Sequence, residues 1–319
     1  SAIILEDSPL VDEVIVFDKF RYDRPLDALR PGAVADMFCL GWDLRRRVYD
    51  HLIILHHLTT RWGAIKFAAL ALTSGARRRV GLDNGRGWFL TERVKDEGFG
   101  YKHEVEYCLE VVGKIGASSD DQRMEIAIPP GAERWAEEMM RDAGFKTVEG
   151  PLVAIHPGSG SYSLARRWAP ERFAQVADAL VERHGARIVL VGKEGNGVAE
   201  VASAMRAEAL NLAERTTLKQ LAALLKRCDL FIGADSGVMH LAAAVGTSIV
   251  AIFGPSNPRA WGPWTASGGQ ISVTVRADLP CSPCSYVGFS LGRRCQTREC
   301  LEAIKPDMVL EAVERMVLR

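Results

Sequence analysis

The sequence lacks an excess of charge of either sign: its 319 residues carry 40 Lys and Arg against 40 Asp and Glu. It therefore has no global signature of a protein that binds nucleic acid or an acidic membrane surface. It also lacks a long apolar run, because Ile65 to Thr73, the longest candidate, is too short to span a bilayer. The N-terminus lacks the basic start of a secretory signal and reaches acidic residues at once. We therefore expect a soluble, cytoplasmic protein.

What the sequence does contain is an alternation of short β-branched runs with helical stretches. The composition, 48% hydrophobic and 25% charged, is that of a globular protein, and the length indicates about two domains. Predicted buried strands are Val14–Phe17, Leu52–Leu55, Leu152–His156, Arg187–Val191, Leu230–Ile232 and Ser248–Phe253. Helices such as Trp62–Leu72, Pro170–Gly185 and Val238–Val245 separate them. This alternation predicts an α/β fold with a parallel, doubly wound sheet, which binds ligands outside the carboxyl ends of its strands.

One predicted strand runs into the turn His156-Pro157-Gly158-Ser159-Gly160-Ser161. Small hydroxyl and glycine residues expose backbone N–H groups, which are able to cradle a phosphate. The alternative is a plain glycine-rich turn. Phe253-Gly254-Pro255-Ser256 is a similar turn, expected at the same sheet edge.

A second predicted strand ends in Asp235-Ser236-Gly237-Val238-Met239-His240, where a helix begins. The free N–H groups and positive dipole end of a helix start favour an anion. Ser236 adds a hydroxyl, and His240 lies one turn along the same face. The alternative is that Asp235 or Ser236 is only a helix cap, which leaves Gly237 and His240 unexplained.

Charged residues at other predicted strand ends extend this pattern. Arg166 is suited to pairing with phosphate oxygens, or is part of a solvated basic turn. Glu194 follows a strand and is suited to accepting hydrogen bonds from ribose hydroxyls. In the first half, His57, Thr60 and Arg61 follow a strand and open a helix, which makes them candidates for contact with an acceptor.

Four of the seven cysteines fall close together, at Cys281, Cys284, Cys295 and Cys300. The first pair has the spacing of a metal site, whereas the four residues between the second pair are less usual. Both a structural metal or cluster and ordinary free thiols in a long loop remain open, and free thiols are the leading interpretation.

Taken together, these segments resemble the bacterial family 9 glycosyltransferases, the ADP-heptose:lipopolysaccharide heptosyltransferases and their relatives. The resemblance rests on H-P-G-S-G, R-R-W-A-P-E-R-F and D-S-G-V-M-H-L-A-A-A-V-G, with T-T-R-W-G-A and A-R-R-R-V-G-L-D in the first half. It implies the GT-B architecture, two Rossmann-like domains facing across a cleft. It also implies inversion at the anomeric carbon, no metal or other cofactor for catalysis, and ADP-heptose as the donor substrate. The implied partners are a glycan or glycolipid acceptor and the inner face of the cytoplasmic membrane, with no nucleic acid.

The resemblance also implies roles for single residues. Ser236, Gly237 and His240 bind the diphosphate, Asp235 contacts the donor sugar, and Asp235 and His240 are the catalytic candidates. The implied donor-site residues are Ser159, Gly160, Arg166, Glu194, Asp235, Ser236, Gly237 and His240.

One departure from the family pattern concerns the start of the chain. Family members begin with a strand and a glycine-aspartate turn whose aspartate is the proposed general base, and no early turn of this kind is present. We expect an omitted N-terminal segment, so the base is unnamed. The alternatives are a catalytically degenerate nucleotide-sugar binder and a GT-B nucleotide-sugar epimerase. The expected domains are an acceptor-side domain at 1–148, a donor domain at 149–305, and a helix at 306–319 packing back on the first domain.

Overall fold

The structure is a computed structural model that describes residues 2–145, 150–159, 164–193, 195–265, 270–284, 295 and 297–317. Across these parts of the chain, none of the helices combines the length and the apolar content that spanning a membrane requires. The contacts divide the chain into two compact units, Ile15–Asp120 and a larger one of Ser1–Val14 with Asp121–Arg319.

The elements follow one another in the alternating order that the sequence predicts. The helices are α1 (Ala2–Leu5), α2 (Pro25–Ala28), α3 (Pro31–Arg46), α4 (Arg61–Thr73), α5 (Glu104–Gly113), α6 (Pro130–Asp142), α7 (Pro170–His184), α8 (Val198–Ala204), α9 (Leu218–Leu225), α10 (Gly237–Ala244), α11 (Pro258–Trp261), α12 (Glu299–Glu302) and α13 (Pro306–Val317). The strands are β1 (His51–Ile54), β2 (Arg78–Asp83), β3 (Glu92–Lys95), β4 (Leu152–His156), β5 (Arg187–Leu190), β6 (Ala209–Asn211), β7 (Leu230–Ala234), β8 (Ser248–Ile252) and β9 (Ser272–Val275).

The smaller unit is built on a parallel three-stranded sheet in the order β1-β2-β3. One face packs Ile54 against the buried alanines of α4. The other face packs Val80 and Leu82 against Tyr107 of α5. Because successive strand residues point to opposite faces, both faces of this short sheet are covered.

The larger unit is built on a parallel six-stranded sheet in the order β6-β5-β4-β7-β8-β9. Alternate residues of its central strands feed two cores: Val153 and Ile155 of β4 pack with α7 and α13, whereas Leu152 and Ala154 pack with α9 and α10. All five residues of β4, β7 and the last four of β8 are buried. Strands buried on both faces read as continuous apolar runs, which is why their sequence signal is clear.

The helix ends of the larger unit follow the chemistry of their sequence. Helix α7 begins at Pro170 and is capped at its C-terminal end by Gly185, whose φ of 60° is left-handed and favours glycine. Helix α9 begins at a capping box, in which Thr217 accepts from the Gln220 N–H and the Gln220 side chain accepts from the Thr217 N–H.

The expected domain boundary at residue 148 stays a prediction, and the contacts of the chain divide it after Asp120. Helix α6 packs on α9, which places residues from Asp121 onward with the larger unit. The buried amine of Lys219 donates to the carbonyls of Ile4, Glu6 and Ala127, at 3.3, 2.7 and 2.8 Å, and so ties both outlying segments to α9.

The expectation that the last helix packs back on the first domain stays a prediction. Helix α13 packs on α7, β8 and β9 of the larger unit. Its residues Val309 and Val313 are buried in the same core as Val153 and Ile155. The apolar face of α13 is therefore buried within the larger unit.

Candidate functional site

The strand order places a topological switch point between β4 and β7, the two central strands of the larger sheet. From β4 the chain builds outward through β5 and β6, and from β7 it builds outward on the other side through β8 and β9. Ligands of such sheets bind in the crevice outside the carboxyl ends at this point. His156 is the last residue of β4, and Asp235 and Ser236 directly follow β7. The sequence-predicted turns therefore lie where the fold opens a binding crevice.

Helix α10 begins at this point, directly after β7. Ser236 is its N-cap and accepts from the Met239 N–H at 3.4 Å. The first turn contains no acidic residue, so the free N–H groups and the helix dipole are not neutralised by the helix itself. At Gly237 a Cβ would meet no atom within 4 Å, so space is open beside the first helical residue. His240 is half-buried, one turn along the helix.

Arg166 and Asp235 form an ion pair at the same strand ends. Arg166 Nη1 donates to Asp235 Oδ2 at 2.9 Å, and the side chains are 17% and 6% exposed. Arg166 Nε is buried and has no hydrogen-bond partner among the described residues. The structure thus joins two residues that the sequence analysis assigned separately, one to phosphate and one to the donor sugar.

The turns after β4 and β5 pack closely on each other. Arg167 donates to the carbonyl of Gly195 and, at 2.9 Å, to Asn196 Oδ1. Ser159 is only 2% exposed, and its carbonyl accepts from Arg167 at 3.5 Å. A Cβ at Gly158 would lie 2.7 Å from the Asn196 side chain, which explains glycine at that close approach. Ser159 therefore lies in the turn after β4, at the sheet edge where the sequence predicts it.

Two predicted donor-site residues, Gly160 and Glu194, lie outside the described residues.

A buried polar pair at the switch point was missed as a site feature by the sequence analysis. Ser236 Oγ lies 3.3 Å from His156 Nδ1, and both side chains are buried. Burial, together with the positive charge of Arg167, lowers the pKa of His156 to about 4, so the imidazole is neutral at physiological pH. The signal that could have found it is a histidine that closes a fully buried strand.

The first-half candidates occupy the carboxyl end of β1 in the smaller unit. His57 is buried, with Nδ1 2.8 Å from Asp96 Oδ1 and Nε2 3.1 Å from Glu104 Oε2. Burial lowers the pKa of His57, but hydrogen bonds and charges from Glu104 and Asp96 outweigh it, and the net shift is upward. Thr60 is the N-cap of α4, and Arg61 is exposed. His57 therefore has a carboxylate at each ring nitrogen, and the sequence analysis missed both carboxylates.

The cysteine segment packs against the turn after β8. The Cys284 N–H donates to the Pro255 carbonyl at 2.9 Å, and Ser282 Oγ donates to the Gly254 carbonyl at 2.7 Å. Cys281, Cys284, Cys295 and Cys300 are all free thiols. Within the described ranges, no three His, Cys, Asp or Glu side chains lie close enough together to hold a metal ion.

Known sequences that resemble this chain are heptosyltransferases. The sequence model of glycosyltransferase family 9 (heptosyltransferase) matches residues 37–287. Lipooligosaccharide heptosyltransferase 2 of Campylobacter jejuni is 31% identical over 52% of this chain and 51% of its own length. Lipopolysaccharide heptosyltransferase 2 of Escherichia coli K12 is 34% identical over 69% of this chain and 64% of its own. The chain thus spans about half to two thirds of the length of these relatives.

Solved structures share the α/β fold with parallel sheets. The glycosyl transferase of family 9 from Veillonella parvula matches with a TM-score of 0.74 and 25% identity, over 99% of this chain and 85% of that one. E. coli heptosyltransferase WaaC with ADP matches in fold with a TM-score of 0.64 and 17% identity, over 97% and 85%. The match of the family model to most of the sequence, supported by these folds, shows that the chain belongs to glycosyltransferase family 9, the heptosyltransferase family.

Proposed function

We propose that the chain is an inverting glycosyltransferase that moves heptose from ADP-heptose to a lipopolysaccharide-core or other glycan acceptor. The observation that carries the proposal is that α10 begins at the β4–β7 switch point, without an acidic residue in its first turn and beside the Arg166–Asp235 pair. Family membership supports the reaction class. The names of the relatives support heptose as the sugar and the lipopolysaccharide core as the acceptor.

The donor's diphosphate sits at the first N–H groups of α10, within reach of Arg166 and His240. Negative charge develops on this diphosphate as the bond to the sugar breaks. Fixed N–H dipoles and cationic groups stabilise that charge, and they lower the barrier because they need no reorganisation. This role is supported by the absence of an acidic residue from the first turn of α10.

Asp235 contacts the donor sugar in this proposal. A carboxylate accepts hydrogen bonds from sugar hydroxyls, and Asp235 is held in place by Arg166 at 2.9 Å. The same ion pair thus links the phosphate contact to the sugar contact. Ser159 belongs to the rim of this pocket, and Gly160 and Glu194 are assigned to phosphate and ribose from the family resemblance.

ADP is the nucleotide that we assign to the donor, and a solved family structure, that of E. coli WaaC, holds ADP. The reaction requires no metal in this proposal. The candidates for contact with the acceptor are His57, Thr60 and Arg61, and the general base for the acceptor hydroxyl is not assigned. We place the reaction in the cytoplasm, at the inner face of the cytoplasmic membrane, where a lipid-linked acceptor is presented.

The test is turnover of ADP-heptose by the purified full-length protein, with and without a heptose-deficient lipopolysaccharide core. We expect ADP release that depends on the acceptor, and a loss of about a hundredfold or more in Asp235→Ala because a transition-state contact is removed. Thr217→Ala is the matched control, because Thr217 caps α9 away from the site and should retain turnover. Release of nucleotide without acceptor, or undiminished turnover in Asp235→Ala, would contradict the proposal.

A further inference from the structure

His156 has no role in the proposed reaction, yet it lies at the β4–β7 switch point. It closes β4, is 3% exposed, and pairs in register with Gly233 of β7. Its ring lies beside Gly192, where a Cβ would approach His156 Cδ2 to 3.5 Å and Val198 Cγ2 to 2.8 Å. The imidazole is therefore closely packed at the sheet edge, with Ser236 as its polar neighbour.

The hydroxyl of Ser236 is used twice within the protein. Its oxygen accepts from the Met239 N–H at 3.4 Å, which is the helix cap. The same oxygen lies 3.3 Å from His156 Nδ1. The imidazole is neutral, since burial lowers its pKa to about 4. Nδ1 is therefore able to accept, provided that the ring proton is on Nε2.

A serine hydroxyl has one proton to donate. When Ser236 donates that proton to His156 Nδ1, none is left for a phosphate oxygen, and its acceptor capacity is of no use to an anion. The phosphate must then be bound by groups that still carry free donors. At the start of α10 these are the backbone N–H groups of Gly237 and Val238, because the Met239 N–H already donates to Ser236.

We propose that His156 is a positioning residue of the diphosphate site: it fixes the Ser236 cap, and thereby the first N–H groups of α10, while the Ser236 hydroxyl makes no bond to phosphate. The inference rests on the proposed function, since it concerns the same donor site. It changes the role that the family resemblance implies for Ser236 from a phosphate contact to a support of the contact.

The experiment measures ADP affinity by titration calorimetry, and the melting temperature, for four single variants of the full chain. His156→Asn retains an acceptor at the position of Nδ1, whereas His156→Phe retains bulk and removes the acceptor. Ser236→Ala removes the cap hydroxyl. Thr247→Val is the matched control, because Thr247 is a buried hydroxyl that donates to the Leu225 carbonyl at 2.6 Å beyond the other end of α10.

We expect His156→Asn to bind ADP within about threefold of wild type, and His156→Phe and Ser236→Ala each to bind about tenfold more weakly, the scale of one lost buried hydrogen bond. The double variant His156→Phe/Ser236→Ala should bind no more weakly than the weaker single, because Ser236→Ala already removes the contact that His156→Phe would break. Thr247→Val should lower the melting temperature without changing ADP affinity. A merely structural role of His156 would move only the melting temperature.

Three outcomes would overturn the inference. Wild-type affinity in a folded His156→Phe would make His156 an ordinary core residue. A loss in Ser236→Ala that exceeds that of His156→Phe, and adds to it in the double variant, would make the hydroxyl a direct phosphate contact. If His156→Phe does not fold, His156→Gln takes its place in the experiment. The amide of His156→Gln reaches the position of Nε2 and leaves no acceptor at the position of Nδ1, so the same conclusions hold. Wild-type protein that binds no ADP would instead overturn the proposed function, and this role with it.

Discussion

Removal of the Arg166 guanidinium should destabilise the fold itself, because Asp235 then keeps a buried charge without its partner. Breaking a fully buried ion pair costs about 3–5 kcal/mol, and an exposed pair contributes about 0–1 kcal/mol. The pair here lies between these limits, since the Asp235 and Arg166 side chains are 6% and 17% exposed. We therefore expect Arg166→Ala to lower the free energy of unfolding by about 2 kcal/mol, or the melting temperature by roughly 4–8 °C for a domain of this size.

The assay is thermal and urea unfolding of wild type, Arg166→Ala, Asp235→Ala and the double variant. The double variant should be more stable than the sum of the singles predicts, because no buried charge is left unpaired. Arg183→Ala is the matched control, since its pair with Glu314 is 51% and 41% exposed and should contribute little. Strict additivity, or an Arg166→Ala protein as stable as the control, would refute the reasoning.

Two further predictions concern residues away from the donor site. The pKa of His57 is raised by Glu104 and Asp96 against the cost of burial. The stability that these carboxylates contribute is therefore complete below the unfolded-state pKa and is lost as pH rises through the folded-state pKa. As the pH rises from about 5.5 to 9, the free energy of unfolding should fall for wild type and change less for His57→Gln. Parallel pH curves for the two proteins would contradict this prediction. Thr217→Ala should cost about 1 kcal/mol because it removes the capping box with Gln220, as measured by urea unfolding. An unchanged midpoint would show that the cap does not contribute.

The larger unit could be predicted from the sequence because its strands are buried on both faces. Leu152–His156 and Leu230–Ile232 were predicted strands and lie within β4 and β7. Asp235 and Ser236 were predicted at a strand end and a helix start, and the structure has them between β7 and α10. What the sequence could not supply is the pairing between distant turns, such as Arg166 with Asp235, because that depends on the strand order.

The smaller unit was harder to predict because charged residues interrupt its strands. β2 and β3 carry Arg78 and Glu92, whose Nε and Oε1 atoms lie 2.6 Å apart across the sheet. Such charged residues hide the apolar periodicity of these strands. The predicted strand Val14–Phe17 is wrong: these described residues form no strand, and Val16 is 76% exposed. A short apolar run is ambiguous without a neighbouring strand to pair with.

His156 shows a second limit of sequence reasoning. A histidine before a glycine-rich turn is equally consistent with a core residue, a ligand or a support. The distinction required the 3.3 Å approach to Ser236 Oγ and the burial of both side chains.

The most direct test of the central claim is a crystal structure of the protein with ADP. Our account predicts that oxygens of the diphosphate lie within about 3.2 Å of backbone N–H groups in the first turn of α10, with Arg166 in contact. It also predicts that Ser236 Oγ remains bonded to His156. Phosphates bound out of reach of Gly237 and Val238, or ADP bound away from the β4–β7 switch point, would contradict it.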